Sequence, residues 1–534
     1  MPNHAVTAPD FSWLAELIRR LRPDLCRLFS TRNRISLPFL QWIVTNGKSE
    51  YASIAENDDL RDILNCRIPG LEITPLQGLV YLQRKDVRQA YPLQTQRENF
   101  VQWFYRHGVG EHRLWPYLSY HDWDCYAAVL PEEAAAHRSN KASAQNAPST
   151  FASRPFGANL IGYAYGQLGI GEDVRMTARA LQAAEVPCCI LNFPPGADIP
   201  QNDFSLRHLV KEEGDYAINI FCMTALETAR YFAEKGHSQF KGRYNIGYWP
   251  WELAQWPTAW RDLTGLVDEV WVSTRHIYDA LAPWSPVPVQ IMPLAVDLGE
   301  VGPQTRADFG LPEKAYLFCF SFDLNSSIHR KNPEACLKAF QKAFPVEQAA
   351  SDLPVGLVVK THTPKNRHDA WERLKQAAAS DPRIHSIEKT LPRPDLLALY
   401  RCCDCYLSLH RAEGFGRGIA EALLLGLHVI ATGYSGNVDY CRDIPQADLV
   451  GYAMVPVGKG EYPFGTGQQW AEVDVDEAAG AMRRAAETGH STKSRRKTPS
   501  AWSFELDAMA KQYEQRLRRV YSQCASPSVT YGRS

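Results

Sequence analysis

The residues best suited to chemistry lie in one short segment, where two glutamates flank a glycine-rich turn. Residues 413–421 read EGFGRGIAE, so seven residues separate Glu413 from Glu421. The apolar spacing after Arg417 predicts a helix that begins at this turn. Because the first amides of a helix have no internal partners and carry the positive end of its dipole, they can hold a phosphate. Glu413 precedes the turn, where it can reach a sugar hydroxyl, and Glu421 lies inside the helix, where it can accept hydrogen bonds from a ribose.

This spacing resembles the signature of the retaining glycosyltransferases of family 4, which have the GT-B fold. The strand predicted at 404–409, the strand predicted at 428–432 and the turn that begins at Tyr434 agree with that pattern. The resemblance implies two Rossmann-like domains facing a cleft, a nucleotide-diphosphate sugar as donor, and retention of configuration at the anomeric carbon. The alternative is an ordinary turn followed by a solvated helix.

The resemblance also implies roles for the residues of this segment. Glu413 is expected to position the donor sugar, and Glu421 is expected to bind the ribose. The turn residues are expected to approach the donor closely, since glycine leaves the backbone accessible. These donor-binding candidates are Gly414, Phe415, Gly416 and Arg417.

A basic pair follows the first strand predicted in the C-terminal half. Residues 321–333 read SFDLNSSIHRKNP and place Arg330 and Lys331 at the start of a predicted helix. Cations are unfavourable there unless an anion arrives, so their position favours a functional role over a solvated pair. The resemblance implies that this pair binds the donor diphosphate as a catalytic group, although Phe322-Asp323 replaces the usual Gly-Arg. Lys360, at the end of a predicted strand, is either a donor-binding residue of the same cleft or an exposed lysine.

Two segments of the preceding domain are candidates for the opposite side of the cleft. Residues 166–173 read GQLGIGED, and the order of their glycines argues against a nicotinamide site. They resemble the glycine loop that family 4 enzymes place opposite the donor. The resemblance implies that Gly169 and Gly171 let backbone amides approach the reacting sugar or phosphate. An ordinary tight turn between a strand and a helix is the alternative. Trp249, Trp251 and Glu252 are either an acceptor platform, with rings stacked on a sugar, or the corner of a core.

Neither of the two patterns typical of metal sites extends to a complete ligand set. Asp122-Trp-Asp124 has the spacing of a divalent-ion site but lies in a helical region, where such a pair is common by chance. The cysteines at 402, 403 and 405 have no second pair nearby, so buried packing is the better interpretation. We therefore expect no cofactor and no metal, with the nucleotide sugar as a substrate.

Composition limits the classes of protein and its location. A chain of 534 residues suggests about three domains, and a net charge of −1 argues against nucleic acid as a partner. The sequence contains no run of ~20 apolar residues and no N-terminal export signal. The thirteen cysteines then favour a reducing cytosol. Basic residues at 493–497 and at Arg516, Arg518 and Arg519 suggest peripheral contact with an anionic membrane or a solubilising surface.

The pattern along the chain predicts an α/β protein of five parts. They are a helical accessory domain at 8–133, a flexible linker at 134–153, an acceptor domain at 154–300, a donor domain at 301–500 and a terminal helix at 501–524 that crosses back to the acceptor domain. Predicted strands lie at 159–164, 187–193, 217–223, 244–248, 269–273 and 289–293, and then at 316–322, 355–360, 405–409, 429–432 and 451–456. Alternation with helices predicts two parallel sheets.

These features together favour an enzyme that moves a sugar to a saccharide or lipid-linked saccharide acceptor, as in surface polysaccharide synthesis. A sugar-nucleotide epimerase or hydrolase would share the nucleotide site but lack the second sugar-binding surface expected near Trp249 and Trp251. A non-catalytic, sugar-nucleotide-binding scaffold is disfavoured because both glutamates and the basic pair occur together.

Overall fold

The computed structural model describes most of the chain. The described residues are 11–29, 36–68, 70–142, 150–196, 199–324, 326–346, 354–362, 369–491 and 503–525. They form two compact units. The first contains the described residues up to Arg154 together with Leu226–Tyr244, and the second contains Pro155–Ala225 and the described residues from Asn245 onward. No helix among these residues is long and apolar enough to cross a membrane.

The first unit is helical. Its N-terminal part contains α1 Phe11–Leu21, α2 Pro23–Leu28, α3 Leu37–Trp42, α4 Lys48–Glu50, α5 Ala52–Ala55, α6 Asp58–Asn65, α7 Pro75–Gln83, α8 Lys85–Ala90, α9 Leu93–Trp103, α10 Val109–Glu111, α11 Tyr120–Val129 and α12 Pro131–Ala142, with π-helical turns at Ile43–Gly47 and Phe104–Gly108. Apolar residues spaced by three and four bury one face of α1.

The boundaries of this unit differ from the expected 8–133. The helix α14 (Ala225–Lys235), which comes later in the chain, belongs to it almost entirely. Ser53 Oγ donates to the carbonyl of Ala233 at 2.9 Å and thereby ties the two pieces together. The start of the linker expected at 134–153 is corrected, because α12 continues to Ala142. The stretch of alanines at its centre has high helix propensity. Residues 143–149 lie outside the described residues.

The second unit begins with a parallel sheet and its helices. These are β1 Ala158–Gly162, α13 Gly169–Ala183, β2 Cys188–Asn192, β3 Ile218–Phe221, β4 Tyr244–Tyr248, β5 Glu269–Val272, α15 Arg275–Leu281 and β6 Val289–Ile291. The strand order is β2-β1-β3-β4-β5-β6. The glycine-rich segment follows β1, beside the point where the strand order reverses, which is where parallel α/β domains bind ligands.

A second six-stranded sheet follows, in the order β12-β11-β10-β7-β8-β9. Its elements are β7 Tyr316–Phe322, α16 Ile328–Lys331, α17 Pro333–Ala343, β8 Val355–Thr361, α18 Asp369–Ala379, β9 Ile384–Glu388, α19 Arg393–Arg401, β10 Cys405–Ser408, α20 Arg417–Leu424, β11 His428–Thr432, α21 Val438–Cys441, β12 Ala447–Val450 and α22 Val475–Ser491. Two Rossmann-like domains preceded by a helical region confirm the predicted fold class.

One predicted strand belongs to a different sheet. The strand predicted at 451–456 is β13 (Tyr452–Pro456), which pairs antiparallel with β14 (Gln469–Val473) instead of joining the parallel sheet. Residues 457–468 connect these two strands and are called the hairpin loop below.

The terminal helix α23 (Leu506–Ala525) packs on the first Rossmann-like domain. Tyr513 donates from its hydroxyl to the carbonyl of Pro293 at 2.7 Å. Arg516 donates from Nε to Glu269 Oε1 at 2.9 Å, and Glu269 is fully buried. Arg516 is therefore an internal ion-pair partner, which corrects its place among the candidate membrane contacts. The basic segment at 493–497 lies outside the described residues.

Candidate active site

Two cations hold the carboxylate of Glu413. One oxygen of Glu413 accepts a hydrogen bond from Lys331 Nζ, and Oε2 lies 3.2 Å from Arg330 Nη1. Glu413 is 7% exposed. Burial by itself raises the pKa of Glu413, but the charges of Lys331 and Arg330 outweigh it and lower that pKa to about 2. The acid is therefore ionised at neutral pH and lies between two basic side chains.

The sheet topology brings these three residues together. Arg330 and Lys331 follow β7, Glu413 follows β10, and these two strands are neighbours in the second sheet. Side chains after the carboxyl ends of adjacent parallel strands meet at one edge. The two segments that the sequence analysis singled out are therefore adjacent in the fold, although they are 82 residues apart.

The local setting of the basic pair differs from the expectation. Both residues end the short helix α16, which Ser327 caps, and Asn332 then adopts a left-handed conformation with φ of 53° before α17 begins. The cations therefore lie in the last turn of one helix, where the dipole favours them, and not at the start of the predicted helix. Arg330 and Lys331 lie close to Glu413 because β7 and β10 are adjacent strands.

Arg330 is fixed on several sides. Its Nη1 donates to the carbonyl of Ala412 at 2.9 Å, and its Nη2 donates to Ser326 Oγ at 2.7 Å. Its Nη2 also lies 3.8 Å from Glu252 Oε1, and its guanidinium carbon lies 5.9 Å from the ring centroid of Tyr462. A buried guanidinium with this many contacts is a preorganised positive charge.

Glu252, predicted as an acceptor residue, lies beside the basic pair. The hydroxyl of Tyr462, in the hairpin loop, donates to Glu252 Oε2. Glu252 follows β4 of the first Rossmann-like domain, whereas Arg330 and Tyr462 belong to the second Rossmann-like domain. The two carboxylate oxygens therefore connect the two Rossmann-like domains at the candidate site. Tyr462 thus borders the candidate site, and the sequence analysis missed it because nothing near position 462 resembles a site.

The turn after Glu413 requires glycine where other chain segments approach it. A Cβ on Gly414 would lie 2.5 Å from the carbonyl oxygen of Trp251, and a Cβ on Gly436 would lie 1.9 Å from that of Gly414. Gly416 has a φ of 87° and immediately precedes α20. In this structure the backbone of the turn is thus approached closely by other segments of the protein. The side chain of Phe415 is buried against Tyr440, at 5.1 Å between ring centroids, and belongs to the core.

A residue of the following turn also supports Glu413. Ser435 Oγ accepts a hydrogen bond from the backbone amide of Glu413 at 2.8 Å. The amide of Gly436 donates to the carbonyl of Glu413 at 2.9 Å. Ser435 has a φ of 72°, in the left-handed region. The turn that begins at Tyr434, noted in the sequence only as part of the pattern, therefore fixes the backbone of the central acid.

Arg417 contacts a charged group of the first Rossmann-like domain directly, and Glu421 is linked to one through Arg393 of its own domain. Glu421 Oε1 accepts from Arg393 Nη1 at 2.8 Å, and Arg393 Nε also lies 3.2 Å from Glu172 Oε1. Arg417 donates to Asp173 Oδ1 at 2.5 Å. Both candidates thus lie at the junction of the domains, and a ribose at Glu421 would share this carboxylate with Arg393.

Lys360 is buried at the end of β8, with 1% of its surface exposed. Burial lowers the pKa of its amine to about 8. This position corrects the alternative of an exposed lysine at a strand edge. Among the described residues, the ion pairs of Glu413 are with Arg330 and Lys331 and do not include Lys360.

The two glycines after β1 differ in their surroundings. A Cβ on Gly169 would meet no atom within 4 Å, whereas a Cβ on Gly171 would lie 2.2 Å from the carbonyl oxygen of Gly166. Gly169 is the first residue of α13. Gly171 is therefore required by local packing, and the amide end of α13 is accessible at Gly169.

The two tryptophans predicted as a platform are buried. Trp249 is 1% exposed and Trp251 is 3% exposed. They pack against Trp256, with ring centroids 6.1 Å and 5.9 Å away. Neither ring presents a face to a ligand in this structure, so the packing of a core corner is the correct interpretation of the pair.

The structure describes contacts of Asp122 and the state of the cysteines in the two patterns that resembled metal sites. Asp122 caps α11 together with Ser119 and accepts a hydrogen bond from the hydroxyl of Tyr105. The thirteen cysteines, all within the described part, are free thiols. The described residues contain no group of three or more His, Cys, Asp or Glu side chains placed to hold a metal ion.

Comparisons with known proteins give similarities to solved structures, while no family model and no curated protein matches this chain. The structure of Anabaena HepE in complex with UDP and glucose has 13% sequence identity to this chain. The match covers 68% of this chain and 100% of the HepE chain, with a TM-score of 0.47. Sucrose-phosphate synthase from Thermosynechococcus elongatus is 15% identical and covers 69% of this chain and 100% of its own, with a TM-score of 0.48. We therefore infer the function from the geometry of the site.

Proposed function

We propose that this protein is a retaining glycosyltransferase that moves a sugar from a nucleotide-diphosphate donor to a saccharide or lipid-linked saccharide acceptor, as in surface polysaccharide synthesis. The observation that carries the proposal is the pairing of Glu413 with Lys331 and Arg330 just before the amide end of α20. Two cations and the first amides of a helix suit a diphosphate, and a carboxylate beside them suits the hydroxyls of the sugar attached to it.

In the proposed reaction, the bond between the anomeric carbon and the β-phosphate oxygen breaks while a bond to the acceptor oxygen forms on the same face. Negative charge then develops on the departing phosphate. Arg330 and Lys331 stabilise that charge where it appears, and because their contacts hold them in place, little reorganisation is needed. The proton of the acceptor hydroxyl passes to the departing phosphate. Glu413 accepts hydrogen bonds from the donor sugar and orients it.

The proposal includes no divalent ion. Lys331, Arg330 and the first amides of α20 together supply the positive charge that a metal would otherwise provide. Glu421 remains the candidate for the ribose, with Arg393 as a neighbour that the nucleoside would have to accommodate.

A screen of nucleotide sugars tests the proposal. Purified protein is incubated with UDP-, GDP-, ADP- and dTDP-sugars, and release of the nucleoside diphosphate is measured. We expect release with one donor class, and we expect Lys331→Ala to lower turnover roughly 10²–10³-fold. Lys338→Ala, which removes an exposed lysine of α17, is the matched control and should retain activity. No release from any donor, or normal turnover in Lys331→Ala, would contradict the proposal.

A further inference from the structure

The burial of Trp249 and Trp251 leaves the proposed enzyme without the acceptor platform that the sequence suggested. A different aromatic residue of the first Rossmann-like domain is accessible. Phe204 is 57% exposed, and its ring packs against Tyr165 at 5.3 Å between centroids. The contact with Tyr165 fixes the orientation of the ring while much of its surface stays open to solvent.

Phe204 lines a pocket of about 340 Å³ at the junction of the two Rossmann-like domains. Most of the wall comes from the first domain, through α13 and the residues around Phe204. The second domain contributes residues 392–394. The polar groups relevant to a ligand are those of Gln167, Arg179, Asn202, Ser205 and Arg393.

Backbone and ionic contacts hold the floor of this pocket in place. The amide of Gln167 donates to the carbonyl of Pro200 at 3.0 Å, and the amide of Asp203 donates to the carbonyl of Tyr165 at 3.1 Å. Arg175 lies 3.2 Å from Asp203 Oδ2 and donates to the carbonyl of Gly166 at 3.0 Å. The segment that carries Phe204 is thus attached to the glycine-rich segment, so a ligand would meet a site that is already ordered.

Two polar groups of the pocket have unused bonding capacity. The buried side-chain oxygen of Gln167 accepts no hydrogen bond from the described residues. Arg179 Nη1 lies 3.7 Å from Asp297 Oδ2, which is longer than a hydrogen bond. A ligand hydroxyl can accept from Arg179, and another can donate to Gln167 Oε1 once the Gln167 side chain turns toward the pocket. An accessible aromatic face bordered by such groups suits a sugar ring, which has apolar C–H groups and hydroxyls.

The pocket is also connected to the candidate donor site. Arg393, which lines it, donates to Glu421 at 2.8 Å. Glu421 is eight positions after Glu413 on the same turn and helix. Arg393 therefore borders both the pocket and the carboxylate proposed for the ribose.

We propose that this pocket binds the acceptor saccharide, with Phe204 stacking on the C–H face of a sugar ring and Gln167 and Arg179 binding its hydroxyls. The proposal rests on the glycosyl transfer proposed above and assigns its second substrate to specific residues. Phe204 then determines which ring faces are accepted, because an axial hydroxyl on the stacked face would lose its hydration against the ring.

Saturation-transfer NMR with a panel of maltose, cellobiose, lactose and sucrose tests this assignment. In the wild-type protein we expect saturation of ring protons for at least one sugar, and in Phe204→Ala a signal weaker by roughly fivefold or more. Phe204→Tyr should retain the signal. Tyr120→Ala, which removes an aromatic ring that is 92% exposed in the helical unit, is the matched control and should be unchanged.

Calorimetric titration of UDP and GDP into the same variants separates this inference from the proposed function. Unchanged nucleotide binding in Phe204→Ala, together with loss of sugar saturation, would support the acceptor pocket. Loss of nucleotide binding with normal sugar saturation would overturn it and assign the pocket to the donor nucleoside. Sugar saturation that is equal in Phe204→Ala and wild type, or absent in wild type, would also overturn it. Failure of the donor screen would instead contradict the proposed function.

Discussion

Replacement of Glu413 by glutamine should have opposite effects on stability and on nucleotide binding. The change keeps the shape of the side chain but removes its charge, so Lys331 and Arg330 lose their nearest counter-ion, while Arg330 keeps Glu252 at 3.8 Å. At 3.2 Å and an effective dielectric constant of about 20, one such ion pair corresponds to about 5 kcal/mol before desolvation. Breaking a buried pair typically costs about 3–5 kcal/mol. We expect a loss of this size in the free energy of unfolding.

A diphosphate supplies the missing negative charge. UDP, which lacks the sugar, should therefore bind Glu413→Gln roughly tenfold more tightly than wild type, because the carboxylate no longer competes for the cations. Saturating UDP should also restore part of the lost stability. Turnover of the nucleotide sugar should fall roughly 10²–10³-fold, since the contact that orients the donor sugar is lost.

Chemical denaturation and calorimetry measure both effects. Glu472→Gln is the matched control, because Glu472 pairs with Arg411 at 2.6 Å but is 37% exposed, and such surface pairs contribute about 0–1 kcal/mol. Equal or weaker UDP binding in Glu413→Gln would refute the reasoning that the two cations form the diphosphate site. Unchanged stability would refute the claim that Glu413 compensates buried charge.

Three further results are expected. Because the pKa of Lys360 falls to about 8 in the folded chain, Lys360→Met should stabilise the protein at pH 7 by roughly 3 kcal/mol. The gain should shrink as pH rises from 8 toward 10.5, as measured by urea titrations, with a substitution of the exposed Lys338, Lys338→Met, as the control. Tyr462→Phe leaves Glu252 without its hydroxyl donor and should lower turnover several-fold in a donor assay, while no change would exclude a role for this contact. Activity should survive excess EDTA, and a loss that Mn²⁺ restores would contradict the metal-free proposal.

Much of the fold follows from the sequence because buried parallel strands form continuous apolar runs. Predicted strands 244–248 and 316–322 coincide with β4 and β7. The carboxyl-end rule then brings Arg330, Lys331 and Glu413 together without knowledge of the tertiary structure. The strand at 451–456 was predicted correctly, but its partner was not, since an apolar run does not specify the strand with which it pairs.

The features that the sequence did not predict depend on contacts between distant residues. Tyr462 reaches Glu252 across 210 positions, and nothing in the local composition at either residue encodes that contact. Whether a tryptophan is a platform or part of a core depends on what covers it, which is why Trp249 and Trp251 left both interpretations open. Phe204 had no periodic pattern to mark it, and its exposure is evident only in the folded chain.

The most direct test of the central claim is the anomeric configuration of the product. The donor found in the screen is incubated with an accepted sugar, and the coupling constant of the new anomeric proton is followed by NMR from the first minutes. We expect release of one nucleoside diphosphate per linkage formed and an α-linked product from an α-linked donor. A β-linked product, or a free or epimerised sugar without transfer to the acceptor, would contradict the central claim.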